Sequence, residues 1–203
     1  MVLDRRALIG SGLALAAMPG LARAAALPAA PGDHVLGSPK AKVQLVEYAS
    51  MSCGHCAHFN EAVFPRLKAR YIDTGKVRYV FREFLTPPYE FAGAGFLLAL
   101  KVGEPRYFQV IDTIFRRQAA IFESGDLWNG LLQIAKTFGL TEAQFEAAMG
   151  DKAALAALNA RIAAAGQRDR IQFTPTIFVN GQRFETAMSF EDLAKVIDAA
   201  AKA

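Results

Sequence analysis

Residues 42–49, Lys-Val-Gln-Leu-Val-Glu-Tyr-Ala, are rich in β-branched and apolar side chains and predict a strand. From Ala57 to Asp73 the apolar positions recur at helical spacing, which predicts an amphipathic helix from about Cys56, bent at Pro65 and ended by Gly75. Lys76 to Phe84 reads as a second strand, stopped by Thr86-Pro87-Pro88. A strand, a helix and a strand in that order predict a right-handed parallel crossover. From Tyr89 to about Arg168 the periodicity is helical and fits four or five short helices. Glu104-Pro105 opens one, Gly139 closes another, and Thr141-Glu142-Ala143-Gln144 spells a capping box. Strand signals return at Thr176-Ile177-Phe178-Val179, turn through Asn180-Gly181 and continue in Gln182-Arg183-Phe184, a strong hairpin cue. Ser189-Phe190-Glu191-Asp192 caps a last helix whose apolar side carries Leu193, Val196 and Ile197. The pattern is one α/β unit, residues 41–88 and 169–203, split by a helical insert at 89–168, with no internal repeat.

The first 24 residues have a different grammar. Arg5-Arg6 precede an apolar run from Ala7 to Leu21, and Ala22-Arg23-Ala24 supplies an A-x-A cleavage signal, the pattern of a secretory signal peptide. The run falls short of the ~20 residues that span a bilayer, which weighs against an anchoring helix. The adjacent arginines also permit export by the twin-arginine route, although Asp4-Arg5-Arg6-Ala7-Leu8-Ile9 fits only part of that pattern. Residues 25–40, rich in Ala, Pro and Gly, read as a linker or loosely docked arm, with folding expected to begin near Lys42 and with His34 incidental.

Removing residues 1–24 takes away three arginines and one aspartate and lowers the formal charge from +4 to +2. A nearly neutral mature chain gives no electrostatic case for nucleic acid. At 203 residues the chain fits one core with an inserted subdomain.

Candidate chemistry centres on Cys53-Gly54-His55-Cys56, which holds the only two cysteines, spaced for one disulfide. They fall at the junction of the first strand and the first helix. A thiol there faces unpaired backbone N–H groups and the positive end of the helix dipole, and His55 can add a proton or a charge. Both effects favour the thiolate, the form that attacks disulfides. In an oxidising compartment such a pair can stay closed, and no other cysteine competes for it. Glu47 lies mid-strand, six positions before Cys53; buried unpaired it costs free energy, and on an exposed face it is unremarkable. Met51, just before Ser52-Cys53, carries a flexible thioether suited to substrate contact. Cys53, His55, Cys56 and His58 are a poor zinc set, because His55 and Cys56 compete on one helical turn; neither metal nor cofactor is expected.

Glu47, the Cys53-Gly54-His55-Cys56 unit, and Phe173-Thr174-Pro175-Thr176 followed by a hairpin resemble the thioredoxin superfamily. The helical insert and leader are similar to its DsbA branch, as are Glu47-Tyr48 and Phe178-Val179-Asn180-Gly181, over about Gly37 to Lys202. Gly54-His55 departs from the DsbA-type pair, which has proline first, and is familiar from protein disulfide isomerases. The resemblance implies a thioredoxin fold with an inserted helical subdomain, Cys53 as exposed nucleophile, Cys56 as resolving thiol and Glu47 as a buried acid that moves protons at the inner cysteine. It also implies a cis peptide bond at Thr174-Pro175, where an extended substrate segment would pair with the backbone of residue 174. A trans proline opening a strand is the ordinary alternative.

The implied activity is oxidation of cysteine pairs in newly exported proteins in the periplasm by a monomer, with reoxidation by a DsbB-like, quinone-linked membrane partner. A disulfide isomerase or reductase is a second reading, and a thiol-dependent chaperone or metal-tolerance module a third. The aromatic residues of the insert, among them Phe91, Phe96, Tyr107, Phe115 and Trp128, read as its core, with one or two available to line a groove for unfolded polypeptide.

Overall fold

The computed structural model describes residues 25–104, 106–185 and 188–202. The leader expected at 1–24 lies outside the described residues. Among the described residues no helix is long and apolar enough to cross a membrane.

Five strands form one mixed sheet: β1 (His34–Leu36), β2 (Val43–Ala49), β3 (Val77–Glu83), β4 (Thr176–Val179) and β5 (Gln182–Phe184), in the order β1-β3-β2-β4-β5. β2 and β3 run parallel, as the crossover requires, while β1, β4 and β5 pair antiparallel with their neighbours. β2 is central and covered on both faces, so its sequence shows little polar alternation. Period two still sorts its side chains. Val43, Leu45 and Ala49 join the main core, whereas Val46 and Tyr48 join a smaller cluster with Val80, Ala165, Ile171 and Phe178 on the other face. Glu47 follows the first set and points into the main core, where it is 2 % exposed.

The segment expected as one bent helix is three pieces: α1 (Gly54–Ala62), α2 (Phe64–Leu67) and a π-helical turn (Lys68–Ile72). Pro65 sits in the first turn of α2, where its missing N–H leaves no helical bond unmade. The insert supplies α3 (Tyr89–Val102), α4 (Tyr107–Ser124), α5 (Leu127–Thr137), α6 (Glu142–Met149) and α7 (Lys152–Arg168). The Thr141 capping box forms, with Gln144 N donating to Thr141 Oγ1 at 3.2 Å and Thr141 N to Gln144 Oε1 at 2.8 Å. Asn180 and Gly181 both take positive φ, 45° and 83°, the twist-matched turn of a two-residue hairpin. Ser189 Oγ caps α8 (Phe190–Lys202) by accepting from Asp192 N at 3.1 Å.

The arm expected at 25–40 is a correction, because it contains β1. This strand adds to the free edge of β3 with His34 opposite Phe81. His34 is buried rather than incidental, stacked at 3.4 Å on the Tyr107 ring with Nδ1 3.0 Å from Glu104 Oε1. The segment also neutralises a buried cation: Arg82, 3 % exposed, donates to Asp33 at 2.6 Å and to Asp169 at 2.8 Å. A three-residue strand carries no readable period, and a counter-ion 49 positions away is invisible to local pattern.

Candidate active site

β2 ends at Ala49, and the chain turns through Ser50-Met51-Ser52 before α1 begins. Cys53 is the N-cap of α1, with φ −84° and ψ 115°, and its sulfur accepts from Cys56 N at 3.3 Å. The sulfur therefore occupies the capping position where a helix offers free N–H groups. Cys56, one turn in, is fully buried. Both are free thiols in this structure.

The Thr174-Pro175 peptide bond is cis, and Pro175 is buried. β4 follows at once, and its register, with Thr176 opposite Tyr48, brings the proline loop to the end of β2. The Cys53 thiol donates to the Thr174 carbonyl at 3.2 Å across 121 positions of sequence. Phe173, 57 % exposed, stands beside this junction.

The two sulfurs differ electrostatically. Hydrogen bonding from the Cys56 side chain, helped by the Thr174 side chain and the backbone N–H groups of Cys56 and His55, outweighs burial and lowers the Cys53 thiol from 9.0 to about 6. Burial pushes Cys56 well above its ordinary value, and the neighbouring Cys53 pushes in the same direction. One sulfur is poised as a thiolate while the other keeps its proton.

Glu47 is near enough to the pair for its charge to bear on Cys56 and for that of Cys53 to bear on it. Burial raises its carboxyl from 4.5 to about 7, with the Cys53 charge contributing, although the Tyr79 hydroxyl donates to Oε2 at 2.6 Å and opposes the rise. A carboxyl held near neutrality can give or take a proton at physiological pH. Its ionisation also costs the fold: this stability is present below 4.5 and is lost as pH rises through about 7. Glu47→Gln should therefore gain over the wild type as pH climbs from 5 to 8, by at most about 3 kcal/mol, since ~1.4 kcal/mol accompanies each pH unit. Urea unfolding at both pH values measures the gap, and a gap independent of pH would contradict the burial argument.

Met51 is a correction. Expected to touch substrate, it is fully buried, and a Cβ added to Gly95 of α3 would lie 2.8 Å from its Cγ. Its flexible chain fills the seam with the insert beside Ile114, which leaves no surface for a partner. His55 and His58 are exposed on α1. Of the insert aromatics, Phe91, Phe96, Tyr107 and Phe115 are core, while Tyr89 and Trp128 border an apolar groove of about 510 Å³ between α3 and α5.

Two groups of residues at the site escape local sequence reading. Ser52 Oγ donates to the Thr86 carbonyl at 2.6 Å, and Ser50 Oγ accepts from Thr86 N at 3.1 Å, tying the reactive loop to the loop after β3. Gln118 Nε2, from α4, donates to the carbonyl of Met51 at 2.7 Å and to that of Cys53 at 3.3 Å. Gln118 did leave a signal: it is a polar residue within the buried stripe Ile111, Ile114, Phe115, Ile121.

A five-stranded mixed sheet with a helix-capping Cys-x-x-Cys and a facing cis-proline defines a thioredoxin-fold dithiol protein. A profile of the family described as Thioredoxin matches residues 29–199, and the chain belongs to that family. Among its relatives is the Rickettsia prowazekii protein named "Putative protein-disulfide oxidoreductase RP025", 31% identical over 169 residues that make up 83% of this chain and 61% of the relative. Disulfide bond formation protein D of Bacillus subtilis is 27% identical over 178 residues, 84% of this chain and 78% of that protein. The crystal structure of Wolbachia pipientis alpha-DsbA1 superposes with a TM-score of 0.77 at 28% identity, covering 87% of this chain and 94% of that one. These likenesses place the chain in the DsbA-like branch of the superfamily. The chain spans about three fifths of the length of the Rickettsia relatives that it matches.

Proposed function

We propose that this chain is an exported thiol:disulfide oxidoreductase that oxidises cysteine pairs of secreted proteins. The observation that carries the reading is the capping Cys53 sulfur, 3.2 Å from the Thr174 carbonyl, with Cys56 buried behind it. In the oxidised protein a substrate thiolate attacks Cys53 Sγ, the Cys53–Cys56 bond breaks, and Cys56 leaves with the electron pair. Its high proton affinity then draws a proton, for which the near-neutral Glu47 carboxyl is the adjacent source. The second substrate thiolate attacks the first substrate sulfur and expels Cys53 as a stabilised thiolate. Substrate loses two electrons and two protons; the pair gains both electrons and, at Cys56, one proton, and the other proton leaves to solvent once Glu47 is protonated again.

Thr174 and Pro175 hold the substrate. The Cys53 thiol occupies the Thr174 carbonyl only while protonated, so the closed or ionised site leaves that carbonyl for an N–H of an extended polypeptide. His55 presents its N–H to the sulfur and its ring to solvent. Export by the residue 1–24 leader places this chemistry in the periplasm, where a monomer would be recharged by a DsbB-like membrane protein that passes the electrons to quinone.

The test is an equilibrium. Mixed with glutathione redox buffer, the protein should partition toward the dithiol and show a potential well above the about −270 mV of thioredoxin. The disulfide form should oxidise a reduced two-cysteine peptide stoichiometrically. A potential at or below that of thioredoxin, with ready insulin reduction, would instead make the chain a reductant.

A further inference from the structure

Gln118 is 4 % exposed and belongs to the insert, yet its amide spends its hydrogen bonds on the reactive loop. Both acceptors are backbone carbonyls of that loop, 67 and 65 positions away in sequence. The Cys53 carbonyl is also the first acceptor of α1, taking Ala57 N at 3.1 Å. The amide thus grips the residue that caps the helix at the point where the cap becomes helix. Its Oε1 would lie 3.9 Å from a Cβ added at Gly54, so the side chain stands alongside the Cys53-Gly54 peptide. No strand bond holds residues 51–53. β2 stops at Ala49, and the backbone bond found in the loop is Cys53 N to the Ser50 carbonyl at 3.0 Å. α1 and α4 pack against each other, which fixes the distance over which this grip operates.

We propose that Gln118 is a positioning residue for thiol-disulfide exchange, whose amide fixes residues 51–53 so that the Cys53 sulfur stays at the cap of α1 and opposite Thr174. The inference rests on the reading of Cys53 as the nucleophile. It gives the insert a task at the reactive sulfur itself. Without the amide, the Met51 carbonyl is buried without this partner and the Cys53 carbonyl keeps only its helical bond. The loop then relaxes toward water, and the sulfur drifts from the N–H groups that hold its charge.

Gln118→Met keeps length and removes both donors, and Gln118→Glu keeps shape and can donate one bond only when protonated. Thiolate absorbance against pH, the glutathione equilibrium and peptide oxidation rates are read in the full chain beside melting temperature. In Gln118→Met the Cys53 titration should move up by roughly half a pH unit or more, and peptide oxidation at pH 7 should slow by about threefold or more. Gln118→Glu should show a defect that shrinks as pH falls. Unchanged titration and redox equilibrium in both variants, whatever their melting temperatures, would overturn the proposal.

Should Gln118→Met fail to fold, the wild type decides. The side-chain amide resonances of Gln118 should shift with the titration of Cys53, and resonances flat through that range refute the coupling. If the wild-type sulfur titrates near the free value of ~8.5, the proposed function falls and this inference with it. A low wild-type titration that Gln118→Met leaves in place removes the inference alone.

Discussion

Cys56→Ala should turn the protein into a covalent trap. Its remaining sulfur is the accessible one, so incubation with disulfide-bearing or glutathione-activated polypeptides should accumulate a mixed disulfide through Cys53. The wild type clears such adducts, because Cys56 lies one turn away and closes the intramolecular bond at high effective concentration. With that thiol gone, multiple turnover should fall by at least about a hundredfold, toward the uncatalysed level, while a single attack on a small disulfide still occurs, its pH dependence moved upward because Cys53 has lost the Cys56 hydrogen bond that favoured its thiolate. Non-reducing gels and mass spectrometry measure both. Cys53→Ser should lose adduct and turnover together, since a hydroxyl neither ionises near neutrality nor forms disulfides. Turnover by Cys56→Ala at the wild-type rate would refute the two-cysteine mechanism.

Unfolding experiments on the reduced and disulfide forms should diverge with pH. The depressed pKa of the Cys53 thiol gives the sign: its folded value, about 6, lies below the ordinary 9.0. A depressed acid contributes stability that is complete above the unfolded value and lost as pH falls through the folded one. The reduced protein should therefore gain on the oxidised protein, which has no thiol to ionise, as pH rises from 6 to 9. At ~1.36 kcal/mol per pH unit the ceiling is about 4 kcal/mol, and solvent around the half-buried sulfur brings the observed gain below it. The disulfide's restriction of the unfolded chain is nearly independent of pH and drops out of the change. Ionised Cys53 also raises the Glu47 carboxyl, which trims the gain around pH 7. Paired urea titrations at pH 6, 7 and 8.5 provide the measurement. A difference flat across that range would show that the helix start does not hold the sulfur charged, and the driving force for oxidising others would vanish.

The parts of this fold that are local in cause were legible in the chain. β2 and β3 announce themselves by β-branched density, the Asn180-Gly181 turn by its demand for positive φ, and α6 by reciprocal caps three residues apart. Cys53 at a helix cap follows from strand, two thiols and amphipathic helix in succession. Glu47 against Tyr79 is half legible: mid-strand acidity flags burial, but its phenol partner 32 positions on does not show in the pattern. What escaped reading depends on distant partners. β1 exists because β3 offers it an edge, and Met51 is buried because Gly95 lacks a side chain. Pro65 was legible as a disruption, but where the helix would restart, and the π-helical turn after it, are set by packing of α2 against α8.

The burial of Cys56 has a consequence for traffic. With a single sulfur facing outward, every visitor, whether it gives up electrons or takes them away, must use the same doorway and cannot pass another inside. Loading and discharge are obliged to alternate. Crowding by one class of visitor then slows the other, so the throughput of such a protein is highest when neither class is in large excess.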